Sequence, residues 1–105
     1  MTLSTHVLDA SRGTPAAGVA VRLTTTGGQE LAAAVTDADG RVRELGALTA
    51  GDYRLTFATG EYFAANGQQG FYPEVVVTFT VTDPGQHHHV PLLLSPYAYS
   101  TYRGS

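Results

Sequence analysis

The chain contains no cysteine and no lysine. Without cysteine there is no thiol nucleophile, no disulfide and no thiolate metal site. Without lysine, every permanently charged cationic side chain is an arginine. The formal net charge is −3, which makes nucleic acid and anionic membrane poor partners. No run approaches the roughly 20 apolar residues of a membrane-spanning helix. Met1-Thr2-Leu3-Ser4 lacks the charged and apolar regions of a secretion signal. These absences lead us to expect a cytoplasmic protein that binds neither nucleic acid nor membrane. There is also no Gly-x-Ser-x-Gly elbow and no phosphate-cradling glycine loop.

What remains is an ordinary globular composition, 43% hydrophobic and 14% charged over 105 residues. That is enough chain for one domain, residues 1–105, with its own core. Alternating apolar and polar residues mark strands over 3–8, 19–23, 31–36 and 53–57. A β-branched run marks another over 74–82. Asp9 to Pro15, Asp37-Ala38-Asp39-Gly40-Arg41, Gly51-Asp52 and Asp83-Pro84-Gly85 are turn material. The single helix expected is short, over 61–66, with Thr59 as N-cap and Asn66-Gly67 as its stop. Short strands separated by turns predict an all-β, two-sheet sandwich with one short helix.

The final stretch carries three of the four histidines. It reads as a hairpin, with an apolar strand, a Ser-Pro break and a second strand of alternating tyrosines. Side chains alternate faces along a strand. His87, His89, Pro91 and Leu93 therefore share one side, and His88, Val90, Leu92 and Leu94 the other. The second set is the better core face, so His89 points away from the core. In the first strand Leu3, Thr5 and Val7 share one face, and Ser4, His6 and Leu8 the other. If both strands lie in one sheet, His6, His89 and Tyr102 converge on its outer surface.

Each of these residues also has a plainer reading. The His87-His88-His89 run fits a solvated strand start, a metal site or a catalytic histidine. A metal site lacks further ligands at any obvious spacing, so none is expected. Asp37 to Gly40 lacks the spacing and the closing glutamate of a calcium loop. Arg41, taken alone, reads as a solvated charge after a turn.

Several segments together carry a resemblance. These are Leu3-Ser4-Thr5-His6-Val7-Leu8-Asp9, Gly13-Thr14-Pro15-Ala16-Ala17-Gly18-Val19, Thr36-Asp37-Ala38-Asp39-Gly40-Arg41, Gly60-Glu61-Tyr62-Phe63, Phe71-Tyr72-Pro73-Glu74 and His89-Val90-Pro91-Leu92-Leu93-Leu94-Ser95-Pro96-Tyr97. With the closing Tyr102-Arg103-Gly104-Ser105, the chain resembles the transthyretin-related 5-hydroxyisourate hydrolases over essentially its whole length. The resemblance implies a transthyretin-like sandwich and a homotetramer, a dimer of dimers, with active sites in the channel between dimers. It implies ring-opening hydrolysis of 5-hydroxyisourate to 2-oxo-4-hydroxy-4-carboxy-5-ureidoimidazoline in urate degradation, with no cofactor. It assigns catalysis to His6, Arg41 and His89, and substrate contacts to His6, Arg41, Tyr102 and Ser105.

Those residue types suit that chemistry. Histidine exchanges protons near neutral pH. Arginine presents a fixed cationic donor fork to a carbonyl or oxyanion. Two departures from the family stand out. His88 replaces the usual aromatic residue between the paired histidines, and the loops at 24–30 and 43–51 are short and lack the common tryptophan. Two non-enzymatic rivals share the β-pattern: a prealbumin-like structural module and a transthyretin-like small-molecule carrier. Neither accounts for His6 together with the closing tetrapeptide.

Overall fold

A computed structural model describes residues 3–104. Nine strands and one helix follow in the order β1 (Leu3–Asp9), β2 (Thr14–Pro15), β3 (Ala20–Thr25), β4 (Glu30–Val35), β5 (Arg41–Val42), β6 (Gly51–Phe57), α1 (Thr59–Ala65), β7 (Val75–Val81), β8 (His88–Ser95) and β9 (Ala98–Thr101). They form two sheets. The first runs β2-β1-β8-β9, with β5 also paired to β1; the second runs β4-β3-β6-β7. This is the expected sandwich. No helix among the described residues is long and apolar enough to cross a membrane.

The core lies between the sheets and follows the alternation of each strand. Leu3 and Val7 of β1 and Val90, Leu92 and Leu94 of β8 meet Val21 and Leu23 of β3 and Leu55 and Phe57 of β6. Burying each such side chain contributes about 1.5–3 kcal/mol before the entropy of ordering is subtracted. The alanines of β4 weaken its sequence signal, yet Ala32 and Ala34 pack against this core while Ala33 and Val35 face out.

Three features of the first sheet position the site. β1 and β8 pair in parallel, from Leu3↔His88 to Asp9↔Leu94, joining the two ends of the chain at the sheet's centre. β9 folds back on β8 from Ser95↔Ala98 to Leu92↔Thr101, as the hairpin reading expects. The third feature has no sequence signal. Arg41 and Val42, at the end of an Asp-Gly turn, form the short strand β5 against His6 and Thr5.

That turn is built for close approach. Gly40 has φ +74°, and a Cβ there would meet the Val7 carbonyl oxygen at 2.4 Å. Only glycine satisfies both constraints. Its carbonyl accepts from Val7 N–H at 2.7 Å. The Asp37 carboxylate closes the turn, accepting from the Asp39 and Arg41 main-chain N–H groups. The Arg41 N–H is the main reason its pKa lies below 3.8; slight burial opposes this, and the Asp39 N–H and nearby arginines add to it.

The helix differs from expectation at its start. It begins at Thr59, with Ala58 at the N-cap and no side-chain cap. The Thr59 hydroxyl instead donates to the Tyr72 carbonyl at 3.1 Å, tying the helix to the following loop. The stop at Asn66-Gly67 is as expected: Gly67 has φ +69° and its N–H returns to Ala64. Packing holds this two-turn helix. Tyr62 and Phe63 are buried, and the Tyr62 hydroxyl donates to Asp9 at 2.7 Å. Asp9 is fully buried at the end of β1. Burial alone would raise its pKa, but hydrogen bonds from Ser11, Tyr62 and the Arg12 N–H hold it below 3.8. Burial, then the partnership with Asp9, pushes the Tyr62 phenol up to about 12.

Candidate active site

The pairing of β1 with its neighbours decides which side chains meet. Ser4 lies opposite His89 and His6 opposite Pro91 on β8. On the other side, His6 lies opposite Arg41. Paired residues share a face of a sheet, so Ser4, His6, Arg41 and His89 form one group on the outer face. His89 also bridges to Gly104, whose N–H donates to the His89 carbonyl at 2.9 Å. Continuing that register from Leu92↔Thr101 puts Tyr102 opposite Pro91, on the same face. His6, Arg41 and His89 are half-buried, whereas Tyr102 is 58% exposed. The structure thus brings together four of the five expected site residues. Ser105, the fifth, lies outside the described residues. Among the described residues no group of three or more His, Cys, Asp or Glu side chains converges to hold a metal ion.

The electrostatics of the group follow from its crowding. His89 is held below pKa 6.5, first by burial and then by the positive charges of Arg41, His6 and His87. Its neutral form is therefore favoured at pH 7. The His6 Nε2 lies 2.9 Å from the Asp39 carbonyl oxygen. A carbonyl only accepts, so that nitrogen carries the hydrogen and the neutral ring leaves Nδ1 bare.

Arg41 is unlike the other arginines. Arg12 bonds Asn66, Arg54 bonds Thr78 and the Thr26 carbonyl, and Arg103 bonds Gln86. Arg22 and Arg43 pair with Glu30 and Asp39. Among the described residues, the Arg41 guanidinium alone has no hydrogen bond or ion pair within the chain. Arg41 is half-buried and shares its face with two imidazoles, so it is not a fully solvated turn charge.

His88 faces the core, as parity requires. It is buried, and its Nδ1 lies 3.0 Å from the Gln86 carbonyl oxygen. Two contacts of the outer face have no role in the sequence reading: Ser4, against both His87 and His89, and Gly104. A Cβ on Gly104 would meet the His89 ring at 2.5 Å, so the closing segment is shaped around that imidazole. Strand parity already put Ser4 on the side of His6 and His87 on the side of His89; the missing information was that the two strands are neighbours.

The HIUase/Transthyretin family model matches residues 3–104. The chain belongs to that family. A relative from Caulobacter vibrioides, named 5-hydroxyisourate hydrolase, is 50% identical, the match covering 98% of this chain and 97% of the relative. The solved structure of Klebsiella pneumoniae 5-hydroxyisourate hydrolase superposes with a TM-score of 0.92 at 46% identity, covering all of both chains. Sea bream transthyretin in complex with thyroxine superposes nearly as well, with a TM-score of 0.91 at 35% identity over 99% of this chain and 95% of that one. Within the family, then, backbone shape does not separate hydrolase from carrier. Residue identity, not the fold, must do so.

Proposed function

We propose that this protein hydrolyses 5-hydroxyisourate, opening its ring to give 2-oxo-4-hydroxy-4-carboxy-5-ureidoimidazoline, without a cofactor. The observation that carries this reading is the outward group of two half-buried imidazoles and an arginine whose guanidinium makes no hydrogen bond or ion pair among the described residues. It is supported by the 5-hydroxyisourate hydrolases of Caulobacter vibrioides and Klebsiella pneumoniae, which match end to end.

The chemistry divides among the residues as follows. His6 and His89 carry protons between the attacking water, the ring nitrogen that leaves and solvent; such catalysis is worth about 10²–10⁴-fold. Arg41 binds the substrate carbonyl and stabilises the oxyanion formed as water adds to it. Tyr102, at the rim, holds the substrate by stacking or hydrogen bonding, and Ser105 closes the site. The working form is a homotetramer of single-domain chains, with the site in the channel between dimers. Two observations support assembly. The edge of β9 is unpaired among the described residues, and Tyr97, Tyr99 and Tyr102 around it are 68%, 41% and 58% exposed. A second copy over this face would exclude water and turn a sheet surface into a pocket.

The test is the absorbance decay of freshly made 5-hydroxyisourate, with wild type beside His6→Ala and His89→Ala. Acceleration by wild type and its loss in both variants is expected. Equal decay with and without protein would sink the hydrolase reading and favour a carrier like the sea bream protein.

A further inference from the structure

Ser4 sits between two imidazoles. Its Oγ is 2.7 Å from His89 Nδ1 and 2.8 Å from His87 Nε2. The serine is buried, at 8% exposure, while His87 is exposed. A hydroxyl owns one hydrogen and can give it to only one of these nitrogens. The other contact must run into its lone pair, from a nitrogen that itself carries hydrogen. The protonation patterns of the two rings are therefore coupled through one oxygen.

Two orders place the serine hydrogen between the two rings. In one, His89 Nδ1–H donates to Ser4 and Ser4 donates to His87 Nε2, leaving Nε2 of the neutral His89 bare. In the other, every arrow is reversed and His89 carries its hydrogen on Nε2. One observation favours the first. Arg41 lies on the same outer face as His89, across β1 from it, and a guanidinium offers only donors. A ring beside it is better placed with a lone pair than with an N–H on its remaining nitrogen.

We propose that Ser4 and His87 are positioning residues: they hold His89 as the Nδ1–H tautomer and so make its Nε2 the general base. This rests on the hydrolase reading. Water adds to the substrate carbonyl carbon while its proton passes to His89 Nε2. The resulting imidazolium keeps its Nδ1–H bond to Ser4. When the carbon–nitrogen bond of the ring breaks, the same proton moves from Nε2 to the departing nitrogen and His89 returns to its starting form. His6 is held in the opposite sense, with Nε2–H bound to Asp39, which leaves His89 as the ring with a prepared Nε2.

The experiment joins nitrogen-15 NMR of the histidine rings with steady-state kinetics for wild type, Ser4→Ala, Ser4→Thr and His87→Ala. In wild type, His89 is expected to carry hydrogen on Nδ1. Ser4→Ala and His87→Ala should give mixed tautomers at His89 and lower kcat by about tenfold or more, a part of what a general base is worth. KM should stay within about twofold, since substrate contacts are unchanged. Ser4→Thr keeps the hydroxyl on a residue type that strands tolerate, and should restore both signals. His87→Ala alters an exposed side chain, so its effect cannot be put down to misfolding. Hydrogen on Nε2 of wild-type His89 overturns the proposal. So does wild-type kcat in both alanine variants, or a Ser4→Thr protein as slow as Ser4→Ala. A wild type that fails to hasten 5-hydroxyisourate decay overturns the hydrolase reading instead, and the tautomer measurement still decides the order of the hydrogen bonds.

Discussion

The outer faces of the two sheets both carry charged side chains and use them differently. The second sheet has the larger hollow, about 560 Å³, lined by Ala20, Ala33, Ala58, Arg22, Glu61 and Glu74 among others. That hollow exists because small side chains and the start of α1 leave space. Its charges are committed elsewhere or solvated: Arg22 reaches Glu30 only at 4.0 Å, with both side chains more than half exposed. The first sheet borders a smaller hollow, about 250 Å³, lined by His88, His89, Tyr102 and Arg103 together with Val77 and Phe79 of β7; none of its histidines lines the larger one. Yet its two outward imidazoles are half-buried, and each is aimed by main-chain or hydroxyl contacts: His6 by Asp39, His89 by Ser4 and the close approach of Gly104. The size of a hollow therefore does not mark the candidate site: the larger one has no histidine, and the smaller one includes His89 and Tyr102. On the first sheet, the missing walls are what the proposed tetramer would supply.

The largest break in this contrast should come from alanine at His6, Arg41 or His89. Loss of an acid–base group costs about 10²–10⁴-fold in rate, and loss of an oxyanion donor about 10²–10³-fold. Turnover of 5-hydroxyisourate by each variant checks this, with thermal melts expected to stay near wild type. Gly104→Ala comes next. Its Cβ would lie 2.5 Å from His89 Cδ2 and 3.1 Å from Cγ, so the ring must shift, and a shift of about 1 Å can cost about 10²-fold. A Gly104→Ala protein with full kcat would show that the placement of His89 is not critical.

Acid should sharpen the contrast. Burial first, then Arg41, His6 and His87, hold His89 below pKa 6.5. If its neutral form is the base, kcat/KM should be flat near pH 7 and fall as pH drops through that lowered pKa. Arg41→Ala removes one repelling charge, so the acid limb of its residual activity should move up towards 6.5. The same depression means that folding stability linked to His89, present above pH 6.5, is lost as pH falls through the folded-state pKa. A pH–rate profile for both proteins tests the sign.

A smaller effect, on stability rather than rate, is expected at Tyr62→Phe. It removes one hydrogen bond from a buried carboxylate and should cost about 1–3 kcal/mol in a urea melt at pH 7. Asp9 lies below its ordinary pKa, so its contribution is present above pH 3.8 and fades as pH falls through the folded-state value. Losing the Tyr62 bond should move that fade to higher pH. The smallest effect belongs to the second sheet. Arg22→Ala breaks an exposed pair worth about 0–1 kcal/mol, and neither Tm nor turnover should change measurably.

The architecture was largely legible in the residues because period-two patterning reports a strand's two faces directly. It put His88 inward with Val90, Leu92 and Leu94, and set His6 and His89 outward. The resemblance, with the closing Tyr102-Arg103-Gly104-Ser105 its most specific part, supplied the proposed site residues. The helix start was misplaced because a threonine hydroxyl serves a loop carbonyl as readily as a helix N-terminus, and only the position of Tyr72 settles which.

By itself, then, the sequence determined which side chains share a face within each strand, the sandwich class and the family, since these depend on local periodicity and residue identity. Only the tertiary structure decided which strands are neighbours. The parallel pairing of β1 with β8 and the short β5 joined Ser4, His6, Arg41 and His89, residues from the two ends and the middle of the chain. Strand pairing is a long-range choice, settled by burial of the common core and by one left-handed glycine turn at Gly40. No window of neighbouring residues contains that information.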